Sequence, residues 1–387
     1  MTGKVLYVVS RPLQINTSAS IRNRATIMGL VENGYQVSLV TTKPDKSHMA
    51  FDPSVDLNDV MCHYIELGGI QSVAKVVRKF KVLKPLYRIA IRLFGKYSIY
   101  DNLISIIDHT SDINIDENYD YIISSSDPKS SHLFVEKLLK ENTSFRGKWI
   151  QIWGDPFYDD ITLPASVDKN EVYKEEERLI SGADKVVYVS KLTLQKQQDR
   201  YSKYASKMEC HPIPYNREII TINQPLNEKE YITLAYCGDY SSKIRNIKPL
   251  YEAVKEMEHI KMVICGGTDL HLLKSERISI LPRQSYDIVE NIEAESDILV
   301  HISNLHGGQI PGKLYQYSGT NKPILFILDG DKESLKQEFS KYGRYVFSEN
   351  NKESIKQSLT EILNSSIRYH PVAEFSKKEF ANQIVHF

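Results

Sequence analysis

The residue types best suited to holding an anion lie in one short stretch, residues 306–317, with the sequence HGGQIPGKLYQY. Gly307 and Gly308 loosen the chain, Pro311 suits the first turn of a helix, and Lys313 adds a positive charge. A helix start offers unpaired backbone N–H groups and the positive end of the helix dipole, which together favour a phosphate. The alternative is a helix start that packs against the preceding strand and leaves Lys313 solvated.

Two further glycine turns follow apolar runs in the same half of the chain. Gly238 ends one run and Arg245 precedes a helical pattern; glycine allows close approach of a ligand, and arginine can fork onto a phosphate. Gly266 lies in CGGTD, directly after another apolar run. Each stretch could equally be an ordinary turn. Neither GxGxxG nor GxxxxGK[ST] occurs, so a dinucleotide site or P-loop gets no support.

An acidic group that could act on a hydroxyl is Asp155, in the stretch WIQIWGDPFYDD (149–160). At the end of a predicted strand its carboxylate could orient or deprotonate a hydroxyl across a cleft. The alternative is a turn-forming aspartate before Pro156. Asp159 and Asp160 are expected to be solvated or to face the acceptor. No His/Asp cluster with helical ligand spacing occurs, so no metal site is predicted.

One long stretch, residues 72–100, carries charge of a single sign. No Asp or Glu lies between Glu66 and Asp101, and apolar residues interleave with the basic ones. Such a segment is attracted to anionic lipid headgroups, which predicts a membrane contact. The expected contact residues are Lys75, Arg78, Lys79, Lys81, Lys84, Arg88 and Arg92. The alternatives are two helices with a solvated basic face, split by Pro85, or a nucleic-acid site, which lacks a recognition motif.

Composition limits the class of protein. The chain has 387 residues, which suggests about two domains, and 41% of them are apolar. Lys+Arg and Asp+Glu both number 49, which disfavours a strongly basic nucleic-acid binder. The four cysteines form no CxxC pair, so neither a zinc site nor a disulfide framework is indicated, and a reducing, cytosolic setting is expected. The first apolar run is too short for a signal peptide or a membrane span.

Strand and helix patterns alternate along the chain. The run of strand 4–9, helix 19–34 and strand 36–42 is a βαβ unit, which predicts a parallel sheet with a right-handed crossover. The other strands are predicted at 119–126, 148–154, 185–190, 232–238, 261–267, 278–282, 297–303 and 323–328. The other helices are predicted at 130–141, 171–181, 246–257, 285–294, 311–319 and 352–364.

The pattern breaks at HPIPYNRE (211–218) and then restarts. We therefore expect an α/β chain with a first domain at 1–212, a linker at 213–230 and a second domain at 231–365. Two parallel α/β domains in series would place a ligand at the carboxyl ends of strands, in the cleft between the domains.

Taken in order, these segments resemble a GT-B glycosyltransferase of the retaining family 4 type, over most of the chain. The likeness is carried by KVLYVVS, RNRATIMGLVENGYQVSLVTT, EEERLISGADKVVYVSK, YCGDY with the following arginine, and SDILVHISNLHGGQIPGKLYQYSGTNKPILFI. The last is the most specific. It is similar to the nucleotide-sugar segment of bacterial enzymes that build capsular, O-antigen or related surface polysaccharides, in which Q-x-P-x-K-x-x-E-Y opens the helix. The corresponding residues are Asn304, Gln309, Pro311, Lys313, Gln316 and Tyr317.

The resemblance implies two Rossmann-like domains that face a cleft, with the segment 366–387 returning to the first domain. It implies that the first domain binds the acceptor, with Ser18 and Arg22 on that side and Asp155 as the catalytic residue. It implies that the second domain binds a nucleotide diphospho-sugar without a metal or cofactor. The implied donor-binding residues are Gly238, Arg245, Gly266, Arg283, Asn304, Gln309, Pro311, Gly312, Lys313 and Gln316.

The chain departs from the family pattern at three positions. Asp239 stands where the family often has a basic residue, and Gly308 and Gln316 stand where it has its paired glutamates. Gln316 can still accept a hydrogen bond from a ribose hydroxyl, although without the charge.

Three functions stay open. The favoured one is metal-independent sugar transfer with retention, from a UDP- or GDP-sugar to a lipid-linked or other glycan acceptor, in bacterial surface-polysaccharide synthesis. Its expected location is the cytoplasm, on the inner face of the cell membrane. The second is a non-catalytic or partner-dependent protein that binds a nucleotide-sugar or stabilises an active homologue; its partner would be that homologue or a second copy. The third is an inverting enzyme or a sugar-nucleotide epimerase, although the sequence shows no set of acidic and histidine residues for epimerisation.

Overall fold

The computed structural model describes residues 3–48, 50–68, 98–115, 119–160, 163, 166–221, 225–306 and 310–387. The seven residues expected at the membrane, together with Gln309 and Gly308, lie outside these ranges. The chain divides into two compact units, Met1–Pro212 with Lys377–Phe387, and Ile213–Ser376.

The predicted strands and helices are present. The structure adds elements that were not predicted, namely the strands Met61–Ile65, Met208–Cys210 and Tyr345–Glu349 and the helices Lys191–Arg200 and Lys332–Ser340. The strands are β1 (Gly3–Val8), β2 (Tyr35–Thr42), β3 (Met61–Ile65), β4 (Tyr121–Ser125), β5 (Lys148–Trp153), β6 (Lys185–Tyr188), β7 (Met208–Cys210), β8 (Ile232–Cys237), β9 (Ile260–Cys265), β10 (Ile278–Leu281), β11 (Ile298–Ile302), β12 (Ile324–Leu328) and β13 (Tyr345–Glu349). The α-helices are α1 (Ser18–Glu32), α2 (Ser130–Glu141), α3 (Lys169–Gly182), α4 (Lys191–Arg200), α5 (Lys248–Glu256), α6 (Tyr286–Glu295), α7 (Lys313–Tyr317), α8 (Lys332–Ser340), α9 (Lys352–Asn364) and α10 (Lys377–Val385). Short 3₁₀ segments occur at Ile104–Asp112, Ser202–Lys207, Leu226–Glu228 and Ala373–Phe375.

Among the residues that the structure describes, each unit contains one parallel sheet of seven or six strands. The strand order is β3-β2-β1-β4-β5-β6-β7 in the first and β10-β9-β8-β11-β12-β13 in the second. Pairing is parallel within both sheets, as the βαβ pattern predicts.

Helices cover both faces of each sheet, because successive residues of a buried strand point to opposite sides. In β1, Leu6 and Val8 enter one core cluster, while Val5 and Tyr7 enter another. In β8, Leu234 packs on one side and Ala235 on the other. Strands that are buried on both faces appear in the sequence as continuous apolar runs, and such runs predict strands.

The returning segment is shorter than predicted. Residues 366–376 belong to the second unit, where the Val372 N–H donates to the Ser318 carbonyl at 2.9 Å and Phe375 packs in the core. The chain returns to the first unit at α10. Its residues Phe380, Ala381 and Ile384 pack in the core cluster that includes Ile27. Residues 213–221 likewise belong to the second unit: the Ile219 N–H donates to the Gly319 carbonyl at 2.9 Å.

Candidate functional site

The carboxyl ends of the strands in the second sheet form the edge at which parallel α/β sheets bind ligands. β9 lies on one side of β8 and β11 on the other, so the direction of the strand order reverses at β8. Such a reversal leaves a crevice outside the ends of the two diverging strands. The predicted donor-binding residues Gly238 and Arg245 follow β8, and Asn304 follows β11. The fold therefore brings these three predicted residues to the switch point.

Arg245 joins the two loops at this point. Its Nε donates to Asn304 Oδ1 at 2.8 Å, and its Nη1 donates to the main-chain carbonyl of Asp239 at 2.9 Å. The side chain is half-buried. A guanidinium has five N–H donors in a fixed fork, so these two bonds orient it and leave capacity for a bidentate anion.

Asp239 extends the network to the next two strands. Its Oδ1 accepts the Gly267 N–H at 2.8 Å, beyond β9, and its Oδ2 forms an ion pair with Arg283, beyond β10. Asp239, which departs from the family pattern, is therefore the residue that forms an ion pair with the predicted Arg283. Four neighbouring strand ends, those of β10, β9, β8 and β11, are linked through Asp239 and Arg245.

Two of the predicted glycines, those that follow β8 and β9, differ in what a side chain would meet. A Cβ added at Gly266 would overlap the carbonyl oxygen of Gly238, because the ends of β8 and β9 come very close. A Cβ added at Gly238 would lie 3.6 Å from Arg245 Nη1, which is ordinary contact. Gly266 therefore allows two backbone segments to pack closely, whereas Gly238 lies beside Arg245.

The anion-ready turn opens a short helix. The Leu314 N–H donates to the Pro311 carbonyl at 3.1 Å, so the turn begins at Pro311. Gly312 is the N-cap of the helix, and nothing lies within 4 Å of a Cβ added there. Lys313 forms an ion pair with Glu293 of α6, and its ammonium lies 5.8 Å from the centre of the Tyr317 ring. Lys313, the predicted cation, therefore lies at the carboxyl edge of the second sheet, where its ammonium is paired with the carboxylate of Glu293.

Gln316 has partners for both polar atoms of its side chain. Its Oε1 accepts the Asn216 N–H at 3.0 Å, and its Nε2 donates to the Pro214 carbonyl at 3.0 Å. The side chain that was predicted to meet a ribose hydroxyl thus joins α7 to the segment before β8.

His301, the last residue but one of β11, was not predicted as part of the site. It is buried, and its Nε2 has no hydrogen-bond partner among the described residues. Burial, with the positive charge of Arg245 as a second cause, lowers the pKa of His301 to about 3. The imidazole is therefore neutral and places no second positive charge beneath Arg245.

In the first unit, Arg22 of α1 lies at the ends of β4 and β5. It is buried, and its Nη2 donates to the Ser126 carbonyl beyond β4. A Cβ added at Gly154, beyond β5, would overlap Nη1 of the arginine. The structure thus brings Arg22 to the residue next to Asp155. Ser18 is exposed at the start of α1.

A polar cluster around Arg22 was missed. Asn23 Oδ1 accepts from the hydroxyls of Tyr7 and Ser125 at 2.8 and 2.6 Å, and His132 Nδ1 lies 2.7 Å from Ser124 Oγ. Burial lowers the pKa of His132 well below its ordinary value, and two neighbouring cations lower it further. The available signal was SSSDPKSSH (124–132), a polar run that begins in the last two residues of the buried strand β4.

The described part of the chain has neither a cluster of metal ligands nor a membrane-spanning helix. Within those ranges no group of three or more His, Cys, Asp or Glu side chains is arranged to hold a metal ion. Nor does any helix there have the length and apolar character to cross a bilayer.

Comparison with known proteins gives structural matches alone. No protein-family model matches the chain, and no curated protein sequence does. The Anabaena protein Alr3699/HepE, solved with UDP-glucose, is 10% identical, with 98% of each chain covered and a TM-score of 0.55. A glycosyltransferase from Rickettsia africae ESF-5 is 12% identical, with 99% and 93% covered and a TM-score of 0.53. MnaA of S. aureus, solved with UDP, is 11% identical, with 98% and 94% covered and a TM-score of 0.51.

These matches span both units and nearly the whole chain. Together with the two parallel sheets, they confirm the predicted fold class, α/β with two Rossmann-like domains of the GT-B type.

Proposed function

We propose that the chain is a glycosyltransferase that takes a sugar from a nucleotide diphospho-sugar bound to its second unit. The observation that carries the proposal is Arg245, which is fixed between Asp239 and Asn304 at the switch point of the second sheet. Structures of this fold with UDP-glucose or UDP bound support a UDP-sugar as the first donor to test.

The chemistry needs positive charge at this edge. Cleavage of the sugar–phosphate bond builds negative charge on the leaving diphosphate, and fixed donors that meet this charge lower the barrier. Arg245 would take the diphosphate directly. Lys313 would join it once the donor draws the ammonium away from Glu293. Retention and independence of metal are part of the proposal.

The acceptor would bind to the first unit, and Asp155 would orient or deprotonate its hydroxyl. We propose a lipid-linked or other glycan acceptor, surface-polysaccharide synthesis as the setting, and peripheral binding to the inner face of the cell membrane. The basic residues between 72 and 100 support the membrane proposal, through attraction to anionic headgroups.

A non-catalytic or partner-dependent role is the second candidate. The specific observation in its favour is that the protein itself engages the polar groups of the helix that was predicted to meet the donor: Lys313 pairs with Glu293, and both polar atoms of Gln316 bind backbone. A chain of this kind would bind a nucleotide-sugar, and turnover would need a homologous glycosyltransferase or a second copy.

One experiment separates these roles. The full chain is titrated with UDP, GDP and their sugars by calorimetry, and sugar release is followed by chromatography with epimerised nucleotide-sugar as a further product to detect. Arg245→Ala should abolish binding, whereas Lys243→Ala, an exposed change in the same loop, should not. Binding with turnover supports the transferase, and binding without turnover supports the second role. Equal affinity in the wild type and Arg245→Ala would contradict the proposed donor site.

A further inference from the structure

Asp239 contacts two arginines at the carboxyl edge of the second sheet. Its carboxylate pairs with the guanidinium of Arg283, and its main-chain carbonyl accepts from Arg245 Nη1 at 2.9 Å. The other carboxylate oxygen is fixed by the Gly267 N–H at 2.8 Å. A backbone N–H therefore fixes the aspartate side chain. The two guanidiniums that contact Asp239 come from different loops, because Arg245 and Arg283 lie 38 residues apart in the sequence.

Stability of the fold does not account for this ion pair. The side chains of Arg283 and Asp239 are 66% and 50% exposed, and ion pairs at such exposure contribute little to folding. The consequence of the pair is the position of Arg283, whose long side chain would otherwise sample many rotamers in solvent.

We infer that Asp239 is a positioning residue of the donor site: it holds Arg283 and Arg245 side by side so that both guanidiniums take the diphosphate of the nucleotide-sugar. The inference rests on the proposed function and adds a second arginine and its support to it. Two guanidiniums and one carboxylate leave a net charge of +1, which suits an anion. An arginine that is already tethered loses less conformational freedom when the ligand binds.

Two effects of the aspartate oppose each other. A carboxylate close to a diphosphate repels it, so simple electrostatics predicts that removal of the charge tightens anion binding. Positioning predicts the reverse, because Arg283 without its anchor contributes less. The sign of the change in affinity therefore decides between repulsion and positioning.

The test uses the full chain, with UDP and inorganic pyrophosphate as calorimetric probes. Asp239→Asn keeps an acceptor for Gly267 and removes the ion pair; we expect it to weaken both probes by about fivefold or more. Asp239→Glu should recover part of that loss. Asp269→Asn is the matched control: it removes the same charge from the same edge, where Asp269 contacts Ser242 and neither arginine. Its affinities should equal those of the wild type or exceed them, because loss of a negative charge near the site can only favour an anion.

The double variant gives a readout that a purely structural role would not produce. In an Arg283→Ala background nothing is left for the carboxylate to position, so the added Asp239→Asn change should leave affinity unchanged or raise it. A loss of affinity there equal to the loss in the wild type would overturn the inference, and so would wild-type or tighter binding by Asp239→Asn alone. Absence of binding of either probe to the wild type would instead overturn the proposed function, and the inference with it.

Discussion

Gln316 holds the backbone of Asn216. Its Oε1 accepts the Asn216 N–H at 3.0 Å, and its Nε2 donates to the Pro214 carbonyl at 3.0 Å. A glutamine meets both needs because it carries an acceptor and a donor on one planar amide. A glutamate could meet only the first need, so at this position the absence of a carboxylate has a structural reason.

Gln316→Glu should destabilise the second unit. The carboxylate keeps the bond from Asn216 but cannot donate to the Pro214 carbonyl and lies against it, which we expect to cost about 1–2 kcal/mol of unfolding free energy. Urea denaturation measures the change. Gln337→Glu, on the exposed face of α8, is the control and should lie within about 0.5 kcal/mol of the wild type. A fully stable Gln316→Glu variant with improved turnover would show that the position serves the donor instead.

Glu293→Gln should strengthen nucleotide binding. The carboxylate of Glu293 pairs with Lys313, so a donor must first draw the ammonium away, and release of this partly buried pair is worth roughly threefold to fivefold in affinity. Calorimetry with UDP measures the effect. Glu290→Gln removes the same charge from the same helix, where Glu290 pairs with the exposed Arg217, and should change little. Unchanged affinity in Glu293→Gln would mean that Lys313 does not meet the diphosphate.

Most of the fold could be predicted because its central strands are continuous apolar runs. β8, β11 and β12 are almost fully buried, and the sequence locates them to within a residue or two. β3 was missed for the opposite reason: it lies at the edge of its sheet, and its sequence MCHYI is mostly exposed and lacks a strand pattern. The end of the returning segment was misplaced because Phe375 packs against the second unit, which only tertiary contacts reveal.

The site could be predicted in its residue types but not in its pairings. The positions of Arg245, Asn304 and Lys313 follow from strand ends, which sequence locates well. The contacts of Asp239 could not be predicted, because its partners lie 28 and 44 residues further along the chain. Glu293, 20 residues before Lys313, could not be recognised for the same reason. Such pairings depend on how helices and loops meet over the sheet, which no local pattern records.

Gly266→Ala should damage both stability and binding. A Cβ there would overlap the Gly238 carbonyl and crowd the Asp239 N–H, so the loop that carries the arginine network must move. We expect a loss of about 1–3 kcal/mol in unfolding free energy and weaker binding of UDP. Gly312→Ala is the control for stability, because nothing lies within 4 Å of its added Cβ. Equal thermal stability of the two variants would show that β8 and β9 can separate without cost.

Acid should destabilise the second unit through His301. Its pKa is lowered to about 3 in the folded chain, first by burial and then by Arg245, whereas an unfolded histidine titrates near roughly 6.5. As the pH falls below that value the unfolded state takes up a proton that the folded state refuses, so stability is lost on acidification and is fully present above the unfolded pKa. Between pH 6.5 and pH 5 this loss of unfolding free energy amounts to about 1.5 kcal/mol.

Urea denaturation of the wild type at both pH values should show that loss, and His301→Gln should show a correspondingly smaller one. The control is His259→Gln, at an exposed position, which should follow the wild type. Equal acid sensitivity in all three would place a charged imidazole in the core and contradict the neutral His301 beneath Arg245.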